Sequence, residues 1–589
     1  MPPALRAPTV RLMNEPTPYA AVMSAERAAE ESSVVEVPVL VVGAGPTGLT
    51  TSILLSRWGI PSLTVERHPG TTIFPRAIAV NTRSMEIFRS LGLDERIRQN
   101  GFRALPFVAR SRTLIDPEPE LSPSLGTPAT DVSPAEWTTC SQLALEPILL
   151  DEAISHPIAD VRFGVELRSL GQSVEGVRAQ LVERESGRAI EVRCRYVVAA
   201  DGARSTVRRL LRIDMAGFGE LGQNVNIHFL APLMERLTHP PIFLHSVNNE
   251  RASGVIYATD GRSRWVMATG YRPKDGESPA DFTVERCVQL VRDAAGVPDL
   301  EVEVLGVSPW TALADVATRW RSGSVFLAGD AAHRMTPAGG LGMNTGIQDG
   351  HNLVWKLAAV MQRWAGPALL DTYETERRPV AEFNMRRSVE LLAPGSALDG
   401  FIDIHQADVP PASTPLRTAL DVDLGFTYST GALVAERVSV APSDTGDYIP
   451  CAAPGHRLPH LWLRESGSSL STMDCMTSAF TVFAGRRTSW KRAVAQVVTA
   501  SQVPMRTQRL PAGSGDTWTS LLGIADSGCV LMRPDGHVAW RSLSGAANPV
   551  AELRSALATV LAVDGAAGAA RPSHEEYGAA TLTQAPALA

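Results

Sequence analysis

The chain has 589 residues, of which 44% are hydrophobic and 20% charged, with a formal net charge of −7. That size predicts two to four domains of an ordinary globular composition. The acidic balance excludes a global basic field that would draw the protein to nucleic acid or to acidic membranes.

Residues 1–36 are rich in Pro, Ala, Glu and Ser and read as a flexible extension; no basic head precedes an apolar stretch, so no signal peptide is visible. The apolar run at 37–42 predicts a buried parallel strand. A helix is expected from about residue 47 to 59 and a second strand at 61–66, which makes a compact β-α-β unit. Two further short apolar strands, 195–201 and 324–330, each end in an Asp beside a Gly and are expected to join the same sheet. Between them, 224–229, 254–258 and 263–269 alternate polar and apolar residues. Period two predicts antiparallel strands with one open face, here assigned to a sheet that covers substrate. A long helix begins near Asn344, another helical segment spans 372–378, and the proline-bearing 408–415 reads as a linker. The last unit is expected to hold a strand at 480–483, a helix at 488–499 and a hairpin turning at Asp535 and Gly536.

The expected organisation is thus a discontinuous first domain at 37–215 and 305–405, with parts of 105–140 covering the substrate site. A substrate sheet follows at 216–304, then a linker at 406–430, a third domain at 431–565 and a flexible tail at 566–589. No apolar run reaches the length of a membrane span. The six cysteines are scattered without a Cys-x-x-Cys pair, as core thiols of a cytoplasmic protein would be, so neither a disulfide frame nor a metal site is expected. Lysine occurs only at Lys274, Lys356 and Lys491, which leaves phosphate binding to arginine.

Gly43, Gly45 and Gly48, with Pro46 and Thr47 between them, form a Gly-x-Gly-x-x-Gly turn. The first glycine permits the strand-to-helix turn, the second lets a pyrophosphate approach the backbone, and the third lets helix and strand pack closely. The phosphates then meet free N–H groups and the positive end of a helix. Glu66, followed by Arg67, ends the second strand 18 residues past Gly48, where a carboxylate accepts hydrogen bonds from a ribose diol. This turn suits NAD and FAD alike.

Two further motifs narrow the choice: Asp201-Gly202 running to Arg208, and Gly329-Asp330 with the loop through Pro337, Gly340, Gly342, Met343 and Asn344. With these the sequence resembles the class A flavoprotein aromatic hydroxylases, the group of para-hydroxybenzoate and phenol hydroxylases, over residues 37–378. The resemblance implies an α/β fold with a Rossmann-like FAD-binding domain of glutathione-reductase type and an antiparallel-sheet substrate domain. Asp330 would then lie beside the ribityl chain. The backbone N–H groups of Gly342, Met343 and Asn344 would face the pyrimidine oxygen of the flavin ring, where reduction places negative charge. Arg76 matches a family arginine that neutralises the pyrophosphate, and Gln142 a glutamine near the ribityl and phosphates. Arg204 or Arg208 would meet a nicotinamide phosphate or make surface ion pairs, and Arg83 a pyrophosphate contact or a helix-surface salt bridge.

Only one complete dinucleotide fingerprint is present. In the family NAD(P)H is a transient co-substrate, so the resemblance implies an NAD(P)H- and FAD-dependent monooxygenase that hydroxylates a phenol or aromatic polyketide through a flavin C4a-hydroperoxide. Baeyer–Villiger insertion on a ketone is the sibling outcome; a flavin halogenase or a non-oxygenating flavoprotein are the other readings. Some phenol hydroxylases carry an acidic base within the stretch that here reads Arg-Ala-Ile-Ala-Val at 76–80, so no catalytic base is named. Asn226, His228, Tyr257 and Trp265, on the middle sheet, are candidate substrate contacts. Segments at 456–463, 471–474 and 533–541 resemble the C-terminal thioredoxin-like domain of the longer phenol and polyketide hydroxylases. Without Cys-x-x-Cys its implied work is structural support or a homodimer contact.

Overall fold

Val39, Leu40 and Val41 are fully buried, as an apolar run with neighbouring strands on both sides requires. They belong to the strand Val35–Val42, at the centre of a sheet in a computed structural model that describes residues 34–123, 129–393, 417–436, 446–465, 468–485, 489–510 and 515–563. Val325–Leu327, Ala189–Ala199, Val35–Val42, Ser62–Glu66 and Ala159–Phe163 lie side by side in that order, all parallel. The strand that leads into Gly329-Asp330 therefore sits two places from the amino-terminal strand, although nearly 290 residues separate them.

The second sheet has eight strands and is antiparallel except where Ile242–Asn248 runs alongside Leu105–Ser111. Its spine is the strand Met215–Leu230, paired with Arg264–Tyr271 on one side and Glu303–Ala317 on the other. Alternation sorts the side chains. Val225, Ile227, Phe229, Ile256, Trp265 and Met267 pack with Cys287 and Val291 of the helix Val284–Ala295, while Asn226, His228 and Tyr257 face the other way, onto a large cavity.

Several boundaries differ from the sequence expectation. The first strand starts at Val35, so 35 and 36 leave the expected extension. Residues 305–317, assigned to the first domain, belong instead to the strand Glu303–Ala317 in the second sheet. Pro309 sits inside that strand and masks it, because proline argues against strand interiors. The segment 417–430, expected as linker, forms the helix Ala419–Leu424 and buries Val422, Leu424, Phe426 and Tyr428. The proline-bearing 408–415 and the tail lie outside the described residues.

The helix Pro46–Arg57 packs on the long helix Leu341–Met361 at very short range. A Cβ on Gly346 would overlap Thr47 Oγ1 and come 2.9 Å from Gly329 Cα; one on Gly350 would come 2.7 Å from Thr51 Oγ1. The last unit has four strands in the order Met505–Arg509, Phe480–Ala484, Cys529–Met532, Val538–Ser542, the first two parallel and the others antiparallel. All six cysteines are free thiols, five of them buried. Among the described residues, no helix is long and apolar enough to cross a membrane, and no cluster of three or more His, Cys, Asp or Glu could hold a metal ion.

Candidate active site

A single cavity of about 3650 Å³ runs from the glycine turn to the polar face of the second sheet. Ordinary ligand pockets are about 300–1,000 Å³, so this one has room for a dinucleotide and a second molecule together. Its floor is built by crowding. Gly43 has φ +106°, and a Cβ there would overlap Ala200 O; a Cβ on Gly48 would overlap Gly43 O. Gly45 is different: nothing lies within 4 Å of where its Cβ would be, and that open side faces the cavity. Two glycines are thus demanded by the protein's own packing, whereas the third leaves room for something outside the chain. Gly45 also caps the helix Pro46–Arg57 with no side-chain hydrogen bond, so its first N–H groups stay available for an anion.

Glu66 is held by two backbone donors, Ala44 N at 3.1 Å and His68 N at 2.9 Å, one to each carboxylate oxygen. Arg67 is exposed on the same rim. Arg76 is fixed through its backbone: its N–H donates to Gln142 Oε1 at 3.1 Å, and Gln142 Nε2 donates to Glu146 Oε1 at 2.6 Å. Glu146 also accepts from Thr72 N at 2.7 Å, and burial pushes its carboxyl up. The Arg76 side chain is exposed to the cavity, and among the described residues no carboxylate pairs with it.

Asp330 lines the cavity with its side chain exposed, and among the described residues no donor reaches its carboxylate. Surrounding protein pushes that carboxyl up by desolvation, against the pull of His333 and Arg76. The loop after it passes Pro337 and takes positive φ at Gly339 and Gly340 before the helix Leu341–Met361 begins, again without a side-chain cap. Gly342 and Met343 line the cavity at that uncapped end. Asn344 is buried behind it: its Nδ2 donates to Gly340 O at 2.8 Å and Ala79 O at 3.2 Å, and its Oδ1 accepts from Asn81 N at 3.0 Å. Gly48 and Gly329 likewise lie behind the wall, at helix contacts. An unpaired arginine, an unpaired carboxylate, two uncapped helix ends and an open glycine fit a flavin dinucleotide, whose phosphates, ribityl hydroxyls and ring would meet them in turn.

Asp201 caps the following helix, accepting from Ser205 Oγ at 2.5 Å, Thr206 N at 2.7 Å and Val207 N at 3.1 Å, while Gly202 takes φ +79° on the cavity side. Arg208 is not free for a nicotinamide phosphate: it is buried and donates to Ala331 O at 2.8 Å and Ala203 O at 2.9 Å. Arg204 remains exposed at the cavity. Arg83 forms a salt bridge within its own helix, to Glu86 at 2.8 Å, but the pair is buried rather than on the surface, Arg83 being 1% exposed.

The opposite wall is made of side chains. Asn226 Oδ1 accepts from Trp310 Nε1 at 2.8 Å. His228 Nε2 lies 3.1 Å from Ser308 Oγ, and its ring stacks on Phe74 with centroids 4.3 Å apart. Burial pushes the His228 imidazole down to about 4, so it is neutral at pH 7, and burial pushes the Tyr257 hydroxyl up. Trp265 does not line the large cavity; it points to the other face of its strand, among the apolar side chains.

Residues 36–388 match the family described as FAD binding domain, and residues 452–563 match the aromatic-ring hydroxylase C-terminal family. The chain belongs to the FAD-dependent aromatic-ring hydroxylases. It is 37% identical to the tetracenomycin B2 monooxygenase-dioxygenase of Streptomyces olivaceus, over 90% of this chain and 99% of that one. It is also 37% identical to the aklavinone 12-hydroxylase RdmE of Streptomyces purpurascens, over 89% of this chain and 99% of that one. The ternary complex of aklavinone-11 hydroxylase with FAD and aklavinone superimposes with a TM-score of 0.81, at 34% identity over 90% of this chain and all of that one. The protein is therefore an FAD-dependent monooxygenase, with FAD as its cofactor.

Sequence reasoning missed much of the sheet-side wall of this hydroxylase's cavity and its interior ion pairs. Phe243, Ser308 and Trp310 line the cavity, yet none belongs to a motif; Phe74 and Met335, which also line it, lie within motif stretches but were not singled out. Glu376, fully buried on the helix Thr372–Glu390, accepts from Lys356 Nζ at 2.8 Å and from Arg533 at 2.7 Å, joining that helix and Leu341–Met361 to the C-terminal hairpin. Asp349 bridges His333 and Arg377, each at 2.8 Å. The one usable signal was Lys356, a rare lysine on a helix otherwise apolar around it.

Proposed function

We propose that this hydroxylase transfers one atom of O2 to an aromatic polyketide or related phenol, with NAD(P)H as transient reductant. The observation that carries the reading is the continuity of the cavity: the dinucleotide turn, the Asp330 carboxylate and the wall of Asn226, His228, Tyr257 and Trp310 all open into it. Its volume, together with relatives named for tetracenomycin and aklavinone, supports a fused-ring substrate over a single ring.

Bound there, FAD would accept hydride from NAD(P)H and activate O2 for oxygen transfer. The chain's own part is positioning. The N–H groups at the head of the helix Pro46–Arg57 and the Arg76 guanidinium would hold the pyrophosphate, Glu66 a ribose diol, and Asp330 the ribityl hydroxyls. The head of the helix Leu341–Met361 offers backbone N–H groups to developing negative charge on the ring. Phe74, stacked on His228, closes the sheet side of the cavity and keeps water from the reacting centre. Neutral His228 and the Asn226–Trp310 pair would orient a phenolic oxygen by hydrogen bonding. No side chain is assigned as base, in keeping with an acidic polyphenol substrate.

The third unit's strand order, one parallel pair followed by an antiparallel hairpin, with helices Trp490–Ser501 and Pro549–Val560, supports a thioredoxin-like fold without redox work. A homodimer in the cytoplasm is the working form we infer.

The experiment is direct. Purified protein should be yellow, and NADPH consumption should rise when aklavinone or simpler phenols are added, with an oxygenated product identified by mass. Consumption that ignores every phenol, with no product bearing added oxygen, would sink the reading.

A further inference from the structure

The C-terminal unit sends a buried cation into the first unit, at a residue that does not line the cavity. Arg457 is 1% exposed and donates Nε to Glu86 Oε2 at 2.9 Å, while its second nitrogen bonds the other carboxylate oxygen of Glu86 and Val132 O at 3.1 Å. Its third reaches Tyr448 OH at 3.0 Å. Glu86 is the hub, since Ser133 Oγ also donates to it at 2.7 Å and Arg83 at 2.8 Å. An ion pair taken this far from water adds little net stability over an apolar pair of the same size. What it does fix is direction: the planar fork of Arg457 spends one bond on a backbone carbonyl of another segment.

That segment leads to the cavity. Ala135 N donates to Ser133 Oγ at 3.2 Å, and Trp137 meets the Phe243 ring edge-on at 5.9 Å. Thr138–Thr139 pairs with Ala79–Val80, and Thr139 O accepts from Phe102 N at 3.1 Å while closing on Gly101, whose Cβ would overlap it. Phe243, Ala79 and Gly101 all line the cavity; residues 132–139 do not, and form the layer behind them.

We propose that Arg457 is a positioning residue for the substrate: through Glu86, Val132 and Ser133 it sets residues 132–139, which back the cavity wall at Ala79, Gly101 and Phe243. The C-terminal unit thereby takes part in substrate placement without touching substrate. What the wall contacts rests on the proposed hydroxylase reading; the placement of the segment does not.

The test uses full-length, FAD-loaded protein with Ser133→Ala and, separately, Arg457→Lys, which keeps the charge and loses the fork. Amide exchange across 132–139 should quicken about 5-fold or more in both, with the helix Trp490–Ser501 unchanged. KM for aklavinone should rise roughly 3–10-fold with kcat within about twofold and FAD content unaltered. Either effect without the other overturns the proposal, as does wild-type behaviour in both. If Arg457→Lys does not fold, Ser133→Ala decides alone. If the wild-type protein oxidises no phenol, the functional reading falls separately, and the exchange pattern alone then decides the placement.

Discussion

The two walls of the cavity are made of different material. The nucleotide side is main chain: Gly43 and Gly48 are packed against carbonyls, Gly45 is open, and two helices present uncapped ends. The sheet side is side chain, drawn from four strands, and its hydrogen bonds run diagonally across the register: Asn226, opposite Ser308, bonds Trp310, and His228, opposite Gly306, bonds Ser308. A wall of backbone is defined by where a Cβ is forbidden, so it tolerates almost no substitution and recognises what all dinucleotides share. A wall of side chains can be changed residue by residue while the sheet stays put, and that is where a family alters its substrate.

The sharpest way to break the contrast is at the glycines. Gly48→Val should abolish folding of the first unit, because the added carbon overlaps Gly43 O; soluble protein with a normal thermal transition would contradict the packing. Gly45→Val should leave the circular-dichroism melt near that of the wild type and yet give colourless protein, since its side chain fills only the open space. Yellow Gly45→Val protein with full FAD content would remove the turn from the site. Next in size is Asp330→Ala. Each lost charge-assisted hydrogen bond is worth about 1.5–3 kcal/mol, so FAD affinity, followed by flavin fluorescence, should fall about 10- to 100-fold. An unchanged dissociation constant would take Asp330 out of the cradle.

On the other wall the effects should be smaller and confined to substrate. Trp310→Phe removes the donor to Asn226, and one neutral hydrogen bond of about 1 kcal/mol should raise the substrate KM a few-fold at constant FAD content. The smallest effect concerns pH. The His228 imidazole is pushed down to about 4 in the folded protein, against about 6.5 in an unfolded chain. Between those values the unfolded state binds the proton that the folded state refuses, so His228 costs stability as pH falls through 6.5 towards 4, and nothing above it. Urea midpoints at pH 7.5 and 5 should therefore converge more closely for His228→Gln than for the wild type.

The same contrast explains what was legible in the sequence. The glycine turn, Glu66, Asp330 and the loop to Met343 could be read because backbone geometry restricts residue type at fixed spacing, and the structure brings Gly45, Glu66, Arg76, Gln142 and Asp330 to one cavity. Asn226, His228 and Tyr257 were found through period-two alternation, which gives a face but not a destination; Trp265 falls on the opposite face of its strand, one residue out of phase. Trp310 was hidden because Pro309 disguises its strand. Arg83 and Arg208 look from sequence like any basic residue of a helix surface. Their burial depends on partners 120 to 450 positions away, Ala331 O and Asp535 O, which no local pattern encodes.

The close crossing at Gly346 and Gly350 ties the two cofactor-facing helices into a single rigid caliper. Its jaws are the head of the Pro46 helix and the head of the Leu341 helix, and the crossing behind them fixes their spacing through the chain's own packing. Such a gauge accepts a molecule of one length with little ordering cost, and stripped protein should regain its colour on mixing, with no slow refolding phase.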